Sequence, residues 1–125
     1  MSDFGLIKGR TADGAIPQNR IVKHGSADGN VALATTATDS FDGVSGIRGA
    51  DAQGDRIDIY KDGIRPLEYG GTVAAGDPLT SDATGRAIKA APVAGTNVRC
   101  IGFAEVSGVV GDIGDAHIVP FIMQG

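Results

Sequence analysis

The chain has no tryptophan, two tyrosines and four phenylalanines, so aromatic residues make up only 5% of its 125 positions. Cysteine occurs once, at Cys100, which excludes a disulfide within the chain, and we interpret this residue as a small buried hydrophobe. No apolar run reaches the ~18–20 residues of a membrane-spanning helix. The first residues lack the charged and apolar regions of a signal peptide. We therefore expect synthesis in a cytoplasm and no membrane partner.

Concentrated positive charge is also missing. Eleven Lys and Arg residues face fifteen Asp and Glu residues, which gives a net charge of −4, and the cations are scattered along the chain. Proteins that bind nucleic acid through its phosphates need a basic face. The sequence therefore predicts no direct nucleic-acid partner.

No catalytic or metal-binding pattern stands out either. His24 and His117 have no acidic or thiol ligand at metal-binding spacing beside them. Asp51, Asp55 and Asp58 lie close together but lack the closing Glu of a calcium loop, so they predict at most a weak surface cation site. The nucleophile pattern Gly-x-Ser-x-Gly is absent. We predict that the protein is not an enzyme and needs no cofactor or metal.

Glycine, in contrast, occurs 20 times, mostly in turn signals between short extended runs. Gly76-Asp77 and Thr84-Gly85 are such turns, because glycine reaches positive φ without steric cost. The run 56–60 (RIDIY) alternates polar and apolar residues as a half-buried strand does. A single short helical turn after Thr38 is the only helix predicted. The fold class predicted is all-β, as a small β-barrel.

The two halves of the sequence resemble each other. Gly29–Ala34 matches Gly85–Ala90, and Gly54–Ile59 matches Gly114–Val119. The offset is 56 positions between Gly29 and Gly85 and grows to 62 by the end of the chain, as short loop insertions would produce. We interpret this pattern as two similar β-units that wrap around one core in a closed or nearly closed barrel, which removes sheet edges.

Residues 1–18 contain few apolar side chains, namely Phe4, Leu6, Ile7 and Ile16. With their glycines and a proline, they predict an extended N-terminal arm ahead of a single domain over residues 19–125. Such an arm is either disordered or laid on a partner, and the sequence leaves both open.

The last predicted strand, over residues 116–123, has apolar residues on both faces. A strand without a polar face is covered on both sides. We expect one of the two covers to be another subunit, contacted by Phe121, Ile122 and Met123.

The run VAAGDPLTSDATGRAIKAA (residues 73–91), followed by VRCIGFAEVSGVVGD (98–112) and a closing apolar strand, resembles the small capsid decoration, or cement, proteins of tailed bacteriophages. The resemblance spans roughly residues 20–125. It implies a β-tulip or small β-barrel fold, a homotrimer, the major capsid protein as partner, and a place on the outer surface of the virion. There the protein would stabilise the expanded shell by bridging capsid subunits. From their position, we expect the apolar residues of the arm to face the capsid, namely Phe4, Leu6, Ile7 and Ile16.

A second interpretation remains open. Val-x-x-Gly-Asp followed by an apolar residue also occurs in biotinyl and lipoyl carrier domains, which are small β-barrel sandwiches. Those domains present a lysine for modification at a hairpin tip. Lys89 lies in the middle of a predicted strand, and Lys61 lacks the flanking methionine. On this reading the chain is a small β-barrel binding or carrier module that acts in the cytoplasm.

Overall fold

A computed structural model of the chain describes residues 7–46 and 49–124. This part of the chain folds into ten strands and contains no helix, which confirms the all-β prediction. No helix in it could therefore span a membrane. The strands are β1 (Ile7–Ala12), β2 (Ile21–His24), β3 (Asn30–Leu33), β4 (Phe41–Ser45), β5 (Arg56–Tyr60), β6 (Gly63–Glu68), β7 (Pro78–Ser81), β8 (Ala87–Lys89), β9 (Asn97–Ala104) and β10 (Ile113–Gln124).

Strands β1 to β5 close into a barrel with the order β1-β3-β2-β4-β5, sealed by antiparallel pairing of β1 with β5. Strand β1 runs parallel to β3, and the remaining pairs are antiparallel. Strands β6 to β10 form a second sheet in the order β6-β10-β9-β7-β8. A parallel bridge between Tyr69 and Ala87 links the two ends of this sheet, so it nearly closes as well. We call these two parts the first unit and the second unit.

The two units share one topology, which confirms the prediction of two similar β-units. Strand β6 pairs with β10 as β1 pairs with β5, and β7 lies between β8 and β9 as β2 lies between β3 and β4. The loop hydrogen bonds repeat too. The N–H of Ala12 donates to the Asp55 carbonyl at 2.9 Å, and the N–H of Tyr69 donates to the Asp112 carbonyl at 2.7 Å. Both residues of the second bond lie 57 positions after those of the first.

This register differs from the one matched in the sequence. The structural counterpart of Gly54-Asp55 is Gly111-Asp112, and not the Gly-Asp pair three residues later. The N–H of Gly54 donates to Ala12, and that of Gly111 donates to Tyr69, the counterpart of Ala12. Both glycines adopt positive φ, 91° and 90°. The offset between the two units therefore stays near 57. The sequence match gave a growing offset because it used Gly114-Asp115, which lies close to the true counterpart, Gly111-Asp112.

Two hydrophobic clusters replace the single predicted core. One fills the first unit and consists of Ala12, Ile16, Val22, Val31, Ala50, Ile57 and Ile59. The other fills the second unit and reaches across the junction to Ile21, Ala34 and Val44 of the first. The N–H of Ile21 donates to the Gly85 carbonyl at 2.8 Å, so backbone hydrogen bonding also joins the units. The units are therefore packed together through shared core residues.

Residues 7–18 belong to the first unit and not to a separate arm. Strand β1 pairs with β5 from Ile7, opposite Tyr60, to Thr11, opposite Arg56. Ile16 is 1% exposed, and its backbone pairs with that of Ala50. The remainder of the predicted arm, residues 1–6, lies outside the described residues.

The segment after Thr38 is also not a helical turn. Residues 36–39 form a β-turn in which the Asp39 carboxylate accepts the N–H of Thr35 at 2.8 Å and that of Thr36 at 3.1 Å. Asp and Thr suit such side-chain-stabilised turns as well as they suit helix caps, so the same residues fit both predictions.

Candidate functional site

Strands β6, β10, β9 and β7 lie side by side and present one face of the second unit to the outside. Residues directly opposite each other in antiparallel strands point to the same face. Ile64 lies opposite His117, His117 lies opposite Phe103, and Phe103 lies opposite Pro78. Ile64 is 57% exposed and Phe103 is 38% exposed. A row of three apolar side chains and one histidine thus crosses the sheet on its outer side.

Alternate positions along the strands extend this row. On β10, Ile113 and Val119 flank His117 on the same side and are 53% and 41% exposed, and on β6 the exposed Pro66 follows Ile64. The one acidic side chain of β10 in this pattern is Asp115, opposite Pro66. On β6, Glu68 lies opposite Ile113 and points to the same side. We define the outer sheet face as Ile64, Pro66, Glu68, Phe103, Ile113, Asp115, His117 and Val119.

The C-terminal end of β10 adds further apolar surface to the outer sheet face. The pairing of β10 with β9 shifts between Ile118 and Phe121, and the Phe121 ring stacks on Phe103 with centroids 5.1 Å apart. Of the three residues expected to contact a sister subunit, Ile122 is 58% exposed, while Phe121 and Met123 are half-buried. Next to them lies a cavity of about 380 Å³ lined by Phe41, Arg99, Cys100, Pro120, Phe121 and Ile122.

The first unit provides an internal comparison for the outer sheet face. At the 57-residue shift, Ile113 corresponds to Arg56, which is exposed at the start of β5. The same fold is therefore built with a charged side chain at this position. Because folding does not require an apolar residue there, Ile113 points to an interaction surface.

The turn between β9 and β10 repeats this contrast. Val106, Val109 and Val110 are 45%, 54% and 59% exposed. The turn geometry comes from the Gly111 φ of 90° and from Asp112, whose carboxylate accepts the Val109 N–H at 3.0 Å. In the first unit, the corresponding turn keeps the Gly-Asp pair but carries Ala52 and Gln53 where the second unit has Val109 and Val110. The side chains of these two valines therefore add exposed apolar surface that the turn does not require.

The residues expected to face a capsid do not form one group in the structure. Ile7 is 45% exposed at the start of β1, whereas Ile16 is buried in the first core. Ile16 is therefore excluded as a contact residue of the folded protein. Phe4 and Leu6 lie outside the described residues.

The densest group of charges surrounds Asp42 on β4, whose side chain is fully buried. Arg10 Nε lies 3.0 Å from its carboxylate, Lys61 Nζ donates to it, and His24 Nε2 lies 3.6 Å away. Burial alone would raise the pKa of Asp42, but the hydrogen bonds and positive charges of Arg10 and Lys61 outweigh it and lower the pKa. The cluster ties β1, β4 and the end of β5 together, which is a structural role.

The remaining chemical candidates are the three aspartates considered for a cation site and the two lysines considered for modification. Asp51, Asp55 and Asp58 line an open cavity of about 560 Å³, but the Asp55 carboxylate accepts backbone N–H groups of its own turn. Across residues 7–46 and 49–124, no three acidic, His or Cys side chains converge as metal ligands. Lys61 is bound to Asp42. Lys89 lies at the end of β8, and its Nζ is 4.0 Å from the carboxylate of Asp77. Neither lysine sits at a hairpin tip as in a carrier domain.

No known protein family and no curated protein matches the sequence. The fold, however, matches a solved one. The crystal structure of the head fiber gp8.5 N base in bacteriophage phi29 superimposes with a TM-score of 0.69 at 18% sequence identity. The match covers 91% of this chain and 93% of the phi29 chain, so both units belong to the shared fold. At this identity the likeness establishes the fold.

Proposed function

We propose that the protein is a structural component of a phage head, carried on the outer surface of the capsid. The observation that supports this function is the match over nearly the whole length of a phage head fiber base. The outer sheet face supports it from the chain itself, since a cluster of exposed apolar side chains such as Ile64, Phe103 and Ile113 is typical of a protein that works in contact with others.

The role we infer is that of a decoration protein. It binds the major capsid protein and bridges neighbouring capsid subunits, and it does so as a homotrimer. Interfaces of ~1,000–2,000 Å² per copy, repeated over the shell, add up to a large resistance to internal pressure. The mechanism is mechanical and needs no reacting group.

The N-terminal segment is the proposed capsid contact. Residues 1–6 carry Phe4 and Leu6, and the next residue, Ile7, is exposed at the start of β1. Ile7 lies at the start of β1, whereas Ile16 is buried in the first core. A short apolar segment of this kind binds by burying its side chains in a partner.

The test is co-sedimentation of the purified chain with expanded heads of its own phage that lack it. We expect saturable binding at a fixed ratio to capsid subunits, together with a higher temperature of shell disruption. A deletion of residues 1–6 should weaken binding and leave the fold intact, because β1 begins at Ile7. The control is Val93→Ser, which changes an apolar residue that is 69% exposed in a loop of the second unit.

An absence of saturable binding to such heads would overturn the proposed function. Equal binding by the deletion variant and the wild type would instead overturn the assignment of residues 1–6 as the contact. Mass spectrometry of the protein from its host provides a second readout, because a covalently modified Lys61 or Lys89 would support the carrier interpretation.

A further inference from the structure

We propose that the outer sheet face is a docking surface for a segment of another protein in which a basic residue stands between apolar ones. This contact goes beyond the proposed function. It is separate from the capsid contact proposed for residues 1–6, and its test needs no capsid, so the two proposals can fail separately.

The first unit buries the counterpart of this face. The rows that cross the two sheets have the same strand pairing, and they consist of Ile64, His117, Phe103 and Pro78 in the second unit and of Ile7, Tyr60, Val44 and Ile21 in the first. Val44 and Ile21 are fully buried in the hydrophobic cluster that fills the second unit, and Tyr60 packs against that cluster. The outer sheet face therefore has the backbone arrangement of a surface that is covered elsewhere in the same chain.

The junction of the two units shows how such a face is covered. Arg65, which belongs to the second unit, lies over the ring of Tyr60, with its Cζ atom 4.1 Å from the ring centroid. A guanidinium group combines a positive charge with a flat surface that stacks on such a ring. The N–H of Ile21 also donates to the Gly85 carbonyl at 2.8 Å, but the counterpart of Ile21 is Pro78, which has no N–H. Another copy of the fold therefore cannot repeat this hydrogen bond on the second unit, whereas a basic side chain can repeat the contact of Arg65.

Charge identifies the occupant as basic. Glu105 directly follows β9, and its N–H donates to the carbonyl of Asp115 at 2.9 Å, so these two exposed acidic residues lie side by side. Like charges on neighbouring strands repel each other. In the described part of the chain, no lysine or arginine pairs with either carboxylate, whereas Arg20 and Arg86 compensate the charge of Glu68. A partner that brings a positive charge to Glu105 and Asp115 therefore reduces their repulsion.

The positions along β10 specify the pattern of the partner. Ile113, Asp115 and His117 occupy every second position on the outer side, at a spacing of ~6.8 Å. An extended segment laid along β10 presents its own alternate side chains at the same spacing. Its basic side chain then reaches Asp115 and Glu105, while the apolar side chains on either side contact Ile113 and the exposed ring of Phe103. Long basic side chains suit this site because their methylene stems cover apolar surface.

The probe is a blocked synthetic peptide with the pattern valine-serine-arginine-serine-valine, titrated into the isotope-labelled full-length chain and followed by NMR. We expect saturable shifts of the backbone signals around Glu105 and Asp115. The double variant Glu105→Gln with Asp115→Asn should raise the dissociation constant about tenfold. Ile113→Arg, which introduces the residue type of Arg56, should also weaken binding because it repels the arginine of the peptide. A peptide with glutamate in place of arginine should not bind.

Asp58→Asn is the matched control, because Asp58 is the exposed counterpart of Asp115 on β5 of the first unit. It should leave the dissociation constant unchanged. Circular dichroism and thermal melting verify that each variant is folded. An absence of saturable binding, equal binding of the glutamate peptide, or an unchanged dissociation constant in the folded double variant would overturn the proposal. So would light scattering that shows an oligomer without peptide and a monomer for Ile113→Arg, because a second copy would then cover the face.

Discussion

The ring of Tyr69 fills the space that Gly114 leaves free. A Cβ atom added to Gly114 would lie 2.5 Å from the Tyr69 hydroxyl oxygen, and that hydroxyl donates to the Val106 carbonyl at 2.7 Å. In the first unit, the corresponding residues are Ala12 and Ile57, both buried in the core. The two units therefore fill equivalent space in different ways. The second unit combines a large residue, Tyr69, with a glycine, and the first unit combines a small residue, Ala12, with an isoleucine.

This exchange predicts a coupling between the two positions. Gly114→Ala should lower the free energy of unfolding by about 1–3 kcal/mol, because the new methyl group overlaps the Tyr69 ring. Tyr69→Ala should cost about 3–5 kcal/mol by leaving a cavity. Adding Gly114→Ile to Tyr69→Ala reproduces the pair of the first unit and should recover part of that loss. Urea denaturation of the wild type, Gly114→Ile, Tyr69→Ala and the double variant measures the interaction energy, and strictly additive effects would contradict the exchange.

Asp42 predicts a specific dependence of stability on acid. Its pKa is lowered in the folded state, so its contribution is present above the unfolded pKa, near 4, and disappears as the pH falls through the folded value. Asp42→Asn removes the charge that holds Arg10 and Lys61. At neutral pH we expect a loss of about 2–3 kcal/mol in the free energy of unfolding.

Urea denaturation between pH 7 and the acid limit of folding measures this effect. The difference between the wild type and Asp42→Asn should shrink as the pH falls below about 4. The matched control is Asp58→Asn, which changes an exposed carboxylate on β5. A constant difference at all pH values would show that ionisation of Asp42 does not stabilise the fold.

The same cluster explains why β1 was not recognised in the sequence. The side chains of Lys8 and Arg10 point to the same side of the sheet as Ile59 and Ile57, which lie opposite them on β5 and form part of the core. A strand with charged residues at core-side positions shows no apolar alternation, and Arg10 is accommodated only because Asp42 lies beside it. That partner is 32 positions away, so no local pattern reveals it.

Other features could be read from the sequence because their causes are local. Strand β5 alternates over residues 56–60, and the buried Ile57 and Ile59 confirm that pattern. The Gly-Asp turns follow from the freedom of glycine to adopt positive φ. The outer sheet face was only partly predictable. The apolar residues of the C-terminal strand predicted part of this face. Ile64 and Phe103 belong to it only because their strands pair with β10 over long sequence distances.

Cys100 is fully buried on β9, and burial raises the pKa of its thiol. The thiolate is the form that reacts with disulfide reagents, and here it is both disfavoured and inaccessible. At pH 8 we expect the folded chain to react with an aromatic disulfide reagent at least about a hundredfold more slowly than the chain in urea. Reaction at the unfolded rate under native conditions would place the thiol at the surface.

Asn19 gives a test of the 57-residue correspondence at the junction of the two units. It is the one non-glycine residue in the described part of the chain with a positive φ, at 58°, and its counterpart Gly76 has φ 90°. Asn19 is 5% exposed, and its side-chain oxygen is buried without a hydrogen-bond partner among the described residues. Asparagine tolerates this backbone conformation better than most residues, and glycine adopts it without a steric cost.

We therefore expect Asn19→Gly to stay within about 1 kcal/mol of the wild type, since relief of the unpaired oxygen offsets the added chain entropy. Asn19→Ala should lower the free energy of unfolding by about 1–2 kcal/mol, because Cβ disfavours the left-handed conformation. Gly76→Ala is the matched control, since an added Cβ meets no atom within 4 Å there and the cost comes from φ alone. Urea denaturation measures all three variants. Equal stability of Asn19→Ala and Asn19→Gly would contradict the left-handed turn, and with it the correspondence between the two units at their junction.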